Sequence, residues 1–194
     1  GDLSDQAWQG LGRELTFVGY TPSLGSPFPR KTIVYTAYDQ KNLYFAFLCE
    51  DPDPSQLKGG IAPRDKVNDH DYIMVMIDSQ NLHQSGFAFV VNPNGVQGDG
   101  IMDNDGNVDR DPDFVWTSGG RITEKGYQVE ALLEESITPT VYGCETTHVC
   151  ARLSNLPISA MARAVCASSH ITTMAYSVLP VSCMGVANCT RVCP

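Results

Sequence analysis

A chain of 194 residues, 42% hydrophobic and 18% charged, is long enough for one domain with a real core and too apolar to be mostly disordered. Its formal net charge of −9 repels polyanions, so nucleic acid is not an expected partner. No apolar run approaches the roughly 20 residues that span a bilayer, which argues against direct membrane insertion.

No charged-then-apolar leader sits at Gly1, and the chain reads as a mature form or an internal fragment. Leu3–Leu11 carries a short helical turn with Trp8 facing inward. Thr32–Tyr38 (TIVYTAY) alternates and is rich in β-branched and aromatic residues, which predicts a strand. Asp39–Asn42 is a turn. Leu43–Cys49 (LYFAFLC) follows as a strand apolar on both faces, hence central. Asp51-Pro52-Asp53-Pro54 cannot continue a ladder and ends it.

Tyr72–Asp78 (YIMVMID) and Gly86–Asn92 (GFAFVVN) pair around the polar loop Ser79–Ser85. Gly95–Ile101, Phe114–Trp116, Gly119–Thr123 and Tyr127–Leu133 complete a run of short strands, with a hairpin turn at Glu124-Lys125-Gly126. Many short strands and few helical stretches predict an all-β fold, an antiparallel β-sandwich of jelly-roll-like form. Its expected core comprises Val34, Tyr44, Phe45, Phe47, Ile73, Val75, Ile77, Phe87, Phe89, Val91, Trp116, Val129 and Ala131.

Near residue 135 the composition changes. Residues 1–135 hold 10 Lys+Arg and 21 Asp+Glu; residues 136–194 hold three arginines, no lysine and one glutamate. Cys49 stands alone before the seam, and Cys144, Cys150, Cys166, Cys183, Cys189 and Cys193 follow it. Two readings stay open: a secreted, disulfide-stapled appendage, or a tail altered by a reading-frame shift near Leu133–Ser136. The second is favoured, because turn signals between the cysteines and amphipathic patterning are both missing. The expected division is a sandwich over 1–135 and an atypical Cys-rich tail over 136–194 with little regular structure.

Asp99–Asp113 (DGIMDNDGNVDRDPD) packs six aspartates into fifteen residues. Calcium takes six to eight oxygens at a flexible turn, so Asp103, Asp105 and Asp109, joined by Asp99 or Asp111, form a candidate calcium site. The competing reading is a solvated connection with asparagine and glycine turn chemistry. Glu50–Asp53 is a weaker acidic cluster of the same kind. Arg64 stands before a buried strand among Asp65, Asp69 and Asp71. There it either pins the loop to a carboxylate or faces a ligand.

Five spaced segments, taken in order, resemble the family 9 carbohydrate-binding module, in the variant found at the N-terminus of larger bacterial envelope proteins. They are GDLSDQAW at Gly1–Trp8, YDQKNLYFAFLCEDPDPSQL at Tyr38–Leu57, RDKVNDHDYIMVMID at Arg64–Asp78, FAFVVNPNGVQGDG at Phe87–Gly100 and VWTSGGRITEKGYQVEALL at Val115–Leu133. The resemblance covers about residues 1–133. It implies a β-sandwich that binds carbohydrate, carries structural calcium and is secreted, periplasmic or part of the cell envelope, attached to other domains of its parent chain. By that resemblance a platform tryptophan falls at about Asn68, a hydroxyl-binding glutamate at Met74 and an arginine at Val90, and Asn92 alone matches. The residues expected at a ligand are therefore Arg64, Asn68 and Asn92. No GxSxG, HExxH, P-loop or GxGxxG is present, which favours a noncatalytic module over an enzyme. The other expectation is a positioning module that binds no sugar.

Overall fold

The structure, a computed structural model, describes residues 1–21, 24–39, 41–67, 69–78 and 84–134, and the backbone of 162–168, 173–179 and 185–186. Among the described residues, a 3-10 turn at Gln6–Trp8 precedes thirteen strands: β1 (Arg13–Leu15), β2 (Val18–Thr21), β3 (Thr32–Tyr38), β4 (Asn42–Glu50), β5 (Tyr72–Ile77), β6 (Ser85–Val91), β7 (Gln97–Asp103), β8 (Val108–Asp109), β9 (Trp116–Thr123), β10 (Gly126–Glu134), β11 (Ala162–Ser168), β12 (Thr173–Leu179) and β13 (Gly185–Val186). They make an all-β sandwich of two sheets. The first runs β1-β3-β4-β10-β9 and the second β2-β12-β11-β5-β6-β7-β8. Pairing is antiparallel throughout, except that β13 runs parallel to β3.

Period-two alternation explains the core. In the first sheet Val34, Phe47 and Val129 stand in register across β3, β4 and β10. In the second, Val75 and Phe89 face each other across β5 and β6. These rows and their neighbours Phe45, Ile73, Val91 and Leu133 meet as one buried cluster between the sheets. Each such side chain contributes roughly 1.5–3 kcal/mol by leaving water.

Eleven of the thirteen residues expected in this core are buried in it, and Phe87 packs against it partly buried. Tyr44 is the correction. Successive strand residues point to opposite faces, so with Phe45 inward Tyr44 must point outward. It joins Trp8, Ala37 and Ala46 on the outer face of the first sheet, beneath the N-terminal segment.

The outer face of the second sheet carries its own apolar cluster of Val67, Tyr72, Met74, Ala88 and Val90. The loop that brings Val67 there is tied down at Asp71, whose side chain accepts from Lys58 N at 2.7 Å and whose N–H donates to Lys58 O at 2.8 Å.

The expectation of little regular structure after residue 135 is corrected for three segments. β11 pairs with β5 from Ala162 opposite Ile77 to Ala167 opposite Tyr72, and β12 joins β11 to β2. A ladder asks only for extended backbone, and segments without an amphipathic pattern can supply it. Cys166 lies in β11 opposite Ile73. The disulfides of the stapled-appendage reading lie outside the described residues.

Candidate functional site

Sequence places Arg64, Gln97 and Asp99 far apart or in unlike settings; the fold gathers them at one edge of the sandwich. Gln97 and Asp99 lie on β7 opposite Val91 and Phe89, so they extend the core-facing rows of β6 to the rim. Asp99 is only 1% exposed. One of its oxygens takes Phe114 N at 2.7 Å, and the other takes Trp116 Nε1 at 3.3 Å and Arg64 Nη2. Arg64 also donates from Nη1 to Gln97 Oε1 at 2.7 Å and from Nη2 to Phe114 O at 2.6 Å, and its Nε lies 2.9 Å from Asp113. Gln97 Nε2 in turn donates to Trp116 O at 3.0 Å. Such charge-assisted bonds hold side chains in single positions, although Arg64 Nε, close to Asp113, makes no hydrogen bond of its own.

Beside this network opens a cleft of about 380 Å³, lined by Arg64, Gln97, Trp116, Thr117 and Ser118 and by the turn through Gly95. Its wall depends on glycine. Gly95 has φ +81°, and a Cβ there would lie 2.7 Å from Gly120 N. Ser118 Oγ donates to Gly95 O at 2.8 Å and closes the same contact. Trp116 supplies the floor as a core residue, 6% exposed and edge-on to Phe89 at 5.3 Å between centroids, so its ring is no stacking platform.

The expected ligand residues fare differently. Arg64 reaches the cleft, though mainly as a pin between β7 and Asp113. Asn92 is fully buried. Its Oδ1 accepts from Asn94 N and Val96 N at 3.0 and 2.9 Å, while Nδ2 donates to Gly60 O at 2.8 Å and to His70 Nδ1 at 2.9 Å. It organises the turn behind the cleft and does not face it. Asn68 lies outside the described residues. Met74 and Val90 face each other across β5 and β6, 7% and 2% exposed, sealed with Val67. The face where the family resemblance places a sugar is closed by apolar packing.

The expected calcium residues are not brought together. Asp99 turns into the core edge. Asp103 organises the β7–β8 hairpin. Its Oδ1 accepts from Asp105 N and Asn107 N, each at 2.9 Å, and its Oδ2 from Asn107 Nδ2 at 3.0 Å. Hydrogen bonds from the Asn107 side chain and then its backbone hold the Asp103 carboxyl below its ordinary 3.8. Gly106 takes φ +85° at the bend. Asp109 accepts from Asp111 N at 3.0 Å, an Asx turn of its own. Among the described residues no three His, Cys, Asp or Glu side chains converge as a metal cage. As held here, the loop does not fit calcium's oxygen requirement. The weaker cluster is structural too, with Asp51 paired to Arg30 at 2.7 Å.

Sequence reasoning missed Gln97, Thr117 and Ser118. The one available signal was spacing: Gln97 and Asp99 are two apart in a strand and so share a face.

No protein-family model matches the chain, and a search of curated proteins finds no match. Among solved structures it is similar to a Bacteroides uniformis protein described as a candidate carbohydrate-binding protein. The TM-score is 0.54 and the identity 7%, over 86% of this chain and 75% of that one. The likeness supports the sandwich fold.

Proposed function

We propose that the chain is a noncatalytic carbohydrate-binding module of a larger secreted or envelope protein, and that the cleft beside Arg64 and Gln97 is its binding surface. One observation carries this reading: a cleft whose polar groups are held by neighbours and whose single guanidinium is compensated by carboxylates. Arg64 is matched by Asp99 and Asp113, so the cleft offers amide, hydroxyl and backbone partners with no surplus positive charge. That suits uncharged hydroxyls, each hydrogen bond adding roughly 0.5–1.5 kcal/mol net. The similarity to the Bacteroides uniformis protein supports the same class.

A second reading, a positioning module without sugar affinity, is favoured by the sealed face at Met74, Val90 and Val67. Affinity electrophoresis of the full chain through gels containing neutral polysaccharides separates the two. The proposal expects retardation by at least one polysaccharide, weakened in Gln97→Ala. Unretarded migration in every gel would favour the positioning module.

A further inference from the structure

Asn92 joins the turn behind the cleft to the loop before β5, and the joint ends on a histidine. The Asn92 carboxamide is fully buried and has one possible orientation. Its Oδ1 accepts from two backbone N–H groups, those of Asn94 and Val96, and its Nδ2 faces the Gly60 carbonyl. Turned over, it would set donors against donors and an oxygen against an oxygen, losing all three bonds. One Nδ2 hydrogen is thus spent on Gly60 O, and the other is left for His70 Nδ1, 2.9 Å away. That nitrogen must be an acceptor, so His70 carries its proton on Nε2. The ring itself is half-buried, with its Nε2 beside Gly60, and its backbone N–H is fixed to Val67 O at 3.0 Å.

We infer that His70 is a pH-sensitive latch on the cleft: neutral, it holds Asn92 and the 92–96 turn, and protonated, it lets go. An imidazolium carries a hydrogen on each nitrogen. Protonation therefore puts a second donor against Asn92 Nδ2, and the ring must turn out. A buried amide hydrogen is then left without a partner, which favours any shift of the carboxamide that finds it one. Asn94 N and Val96 N hang on the same carboxamide, and Gly95, Val96 and Gln97 line the cleft, so that shift reaches the cleft wall. The charged groups on the elements around the ring are exposed Asp69 and buried Asp71 on its own loop, and Lys58, whose backbone holds Asp71. The 92–96 turn carries none. Neither carboxylate removes the conflict with Asn92 Nδ2. The latch is a regulation of the site proposed above, and only its effect on ligand rests on the carbohydrate reading.

NMR of the full chain without ligand tests the latch itself. The His70 ring nitrogens, identified by their loss in His70→Gln, should show the Nε2–H tautomer at about pH 8. Lowering the pH to about 5.5 should move the amides of Asn94, Gly95 and Val96 along the same curve as the ring. Those movements should be absent in folded His70→Gln, whose side-chain oxygen can accept from Asn92 Nδ2 and cannot titrate. An Nδ1–H tautomer overturns the latch. So does a ring that stays neutral throughout, or one that titrates while the three amides stay still, or amide movements that persist in folded His70→Gln. Affinity electrophoresis at the same two pH values then reads the consequence. For a neutral polysaccharide that retards the chain, the apparent affinity should fall at least about threefold in acid, and the fall should be missing in His70→Gln. Equal retardation at both values overturns control of the cleft by His70. Absence of retardation at both overturns the carbohydrate reading alone, because the amide titration needs no ligand.

Discussion

The two sheets turn opposite kinds of surface outward. The second covers its outer face with Val67, Met74 and Val90, all below a tenth exposed, under a loop tied at Asp71. The first carries Trp8, Tyr44 and Glu130 on its outer face, where each polar group already holds a protein partner and still borders a cleft. One fold thus offers two unlike outer faces, one of apolar packing and one of polar groups bonded to one another. A face filled with apolar groups gains stability and forfeits ligand hydrogen bonds; a face of braced polar groups keeps them available.

The largest expected effect tests the sealed face. Met74→Glu introduces the acid that the family resemblance puts there, beneath Val67 and opposite Val90. An unpaired carboxylate in that cluster should cost about 3–5 kcal/mol in urea unfolding, with no gain in sugar affinity. A stable variant that acquires sugar binding would show that the face is open.

Next comes the rim. Asp99→Ala strips partners from Arg64, Phe114 N and Trp116 Nε1 together. Because Arg64 is about a third exposed and water can reach it, the loss should sit near the lower end of the buried-pair range, about 3 kcal/mol by urea unfolding. A loss under about 1 kcal/mol would mean that the network does not hold the cleft.

The smallest effects belong to the aspartate hairpin. Asp103 is a carboxyl whose folded value lies below 3.8, so its contribution is present above that pH and is lost as pH falls through the folded value. Asp103→Asn should therefore lower stability at neutral pH by an amount that disappears as pH falls through the folded value, which flattens the acid limb of the stability curve. Because Asp103 and Asp109 accept from their own loop's backbone, thermal unfolding in calcium and in chelator should coincide. A rise in melting temperature with free calcium would contradict this self-capped loop.

Much of the sandwich was legible because alternation records which side of a sheet a residue faces. The rows through Val34–Phe47–Val129 and Val75–Phe89 follow from period two alone. LYFAFLC defeats that reading, since both of its faces are apolar, and Tyr44 was assigned to the wrong one. Asp99 was hidden for the opposite reason. Composition groups it with five other aspartates, and only the register that sets it beside Phe89 separates a core-edge residue from hairpin residues. Gln97, Thr117 and Ser118 carry no motif; they come to line one cleft only when the turn at Gly95 packs on Gly120. β11 and β12 were illegible because backbone pairing, not side-chain pattern, admits them to the sheet.

Residue-by-residue amide shift mapping during titration with neutral oligosaccharides tests the central contrast most directly, because it reads both faces in one experiment. The expected result is shifts concentrated at Gln97, Thr117 and Ser118, while the amides of Met74 and Val90 stay still. Shifts centred on Met74 and Val90, with Gln97 and Ser118 unmoved, would contradict it.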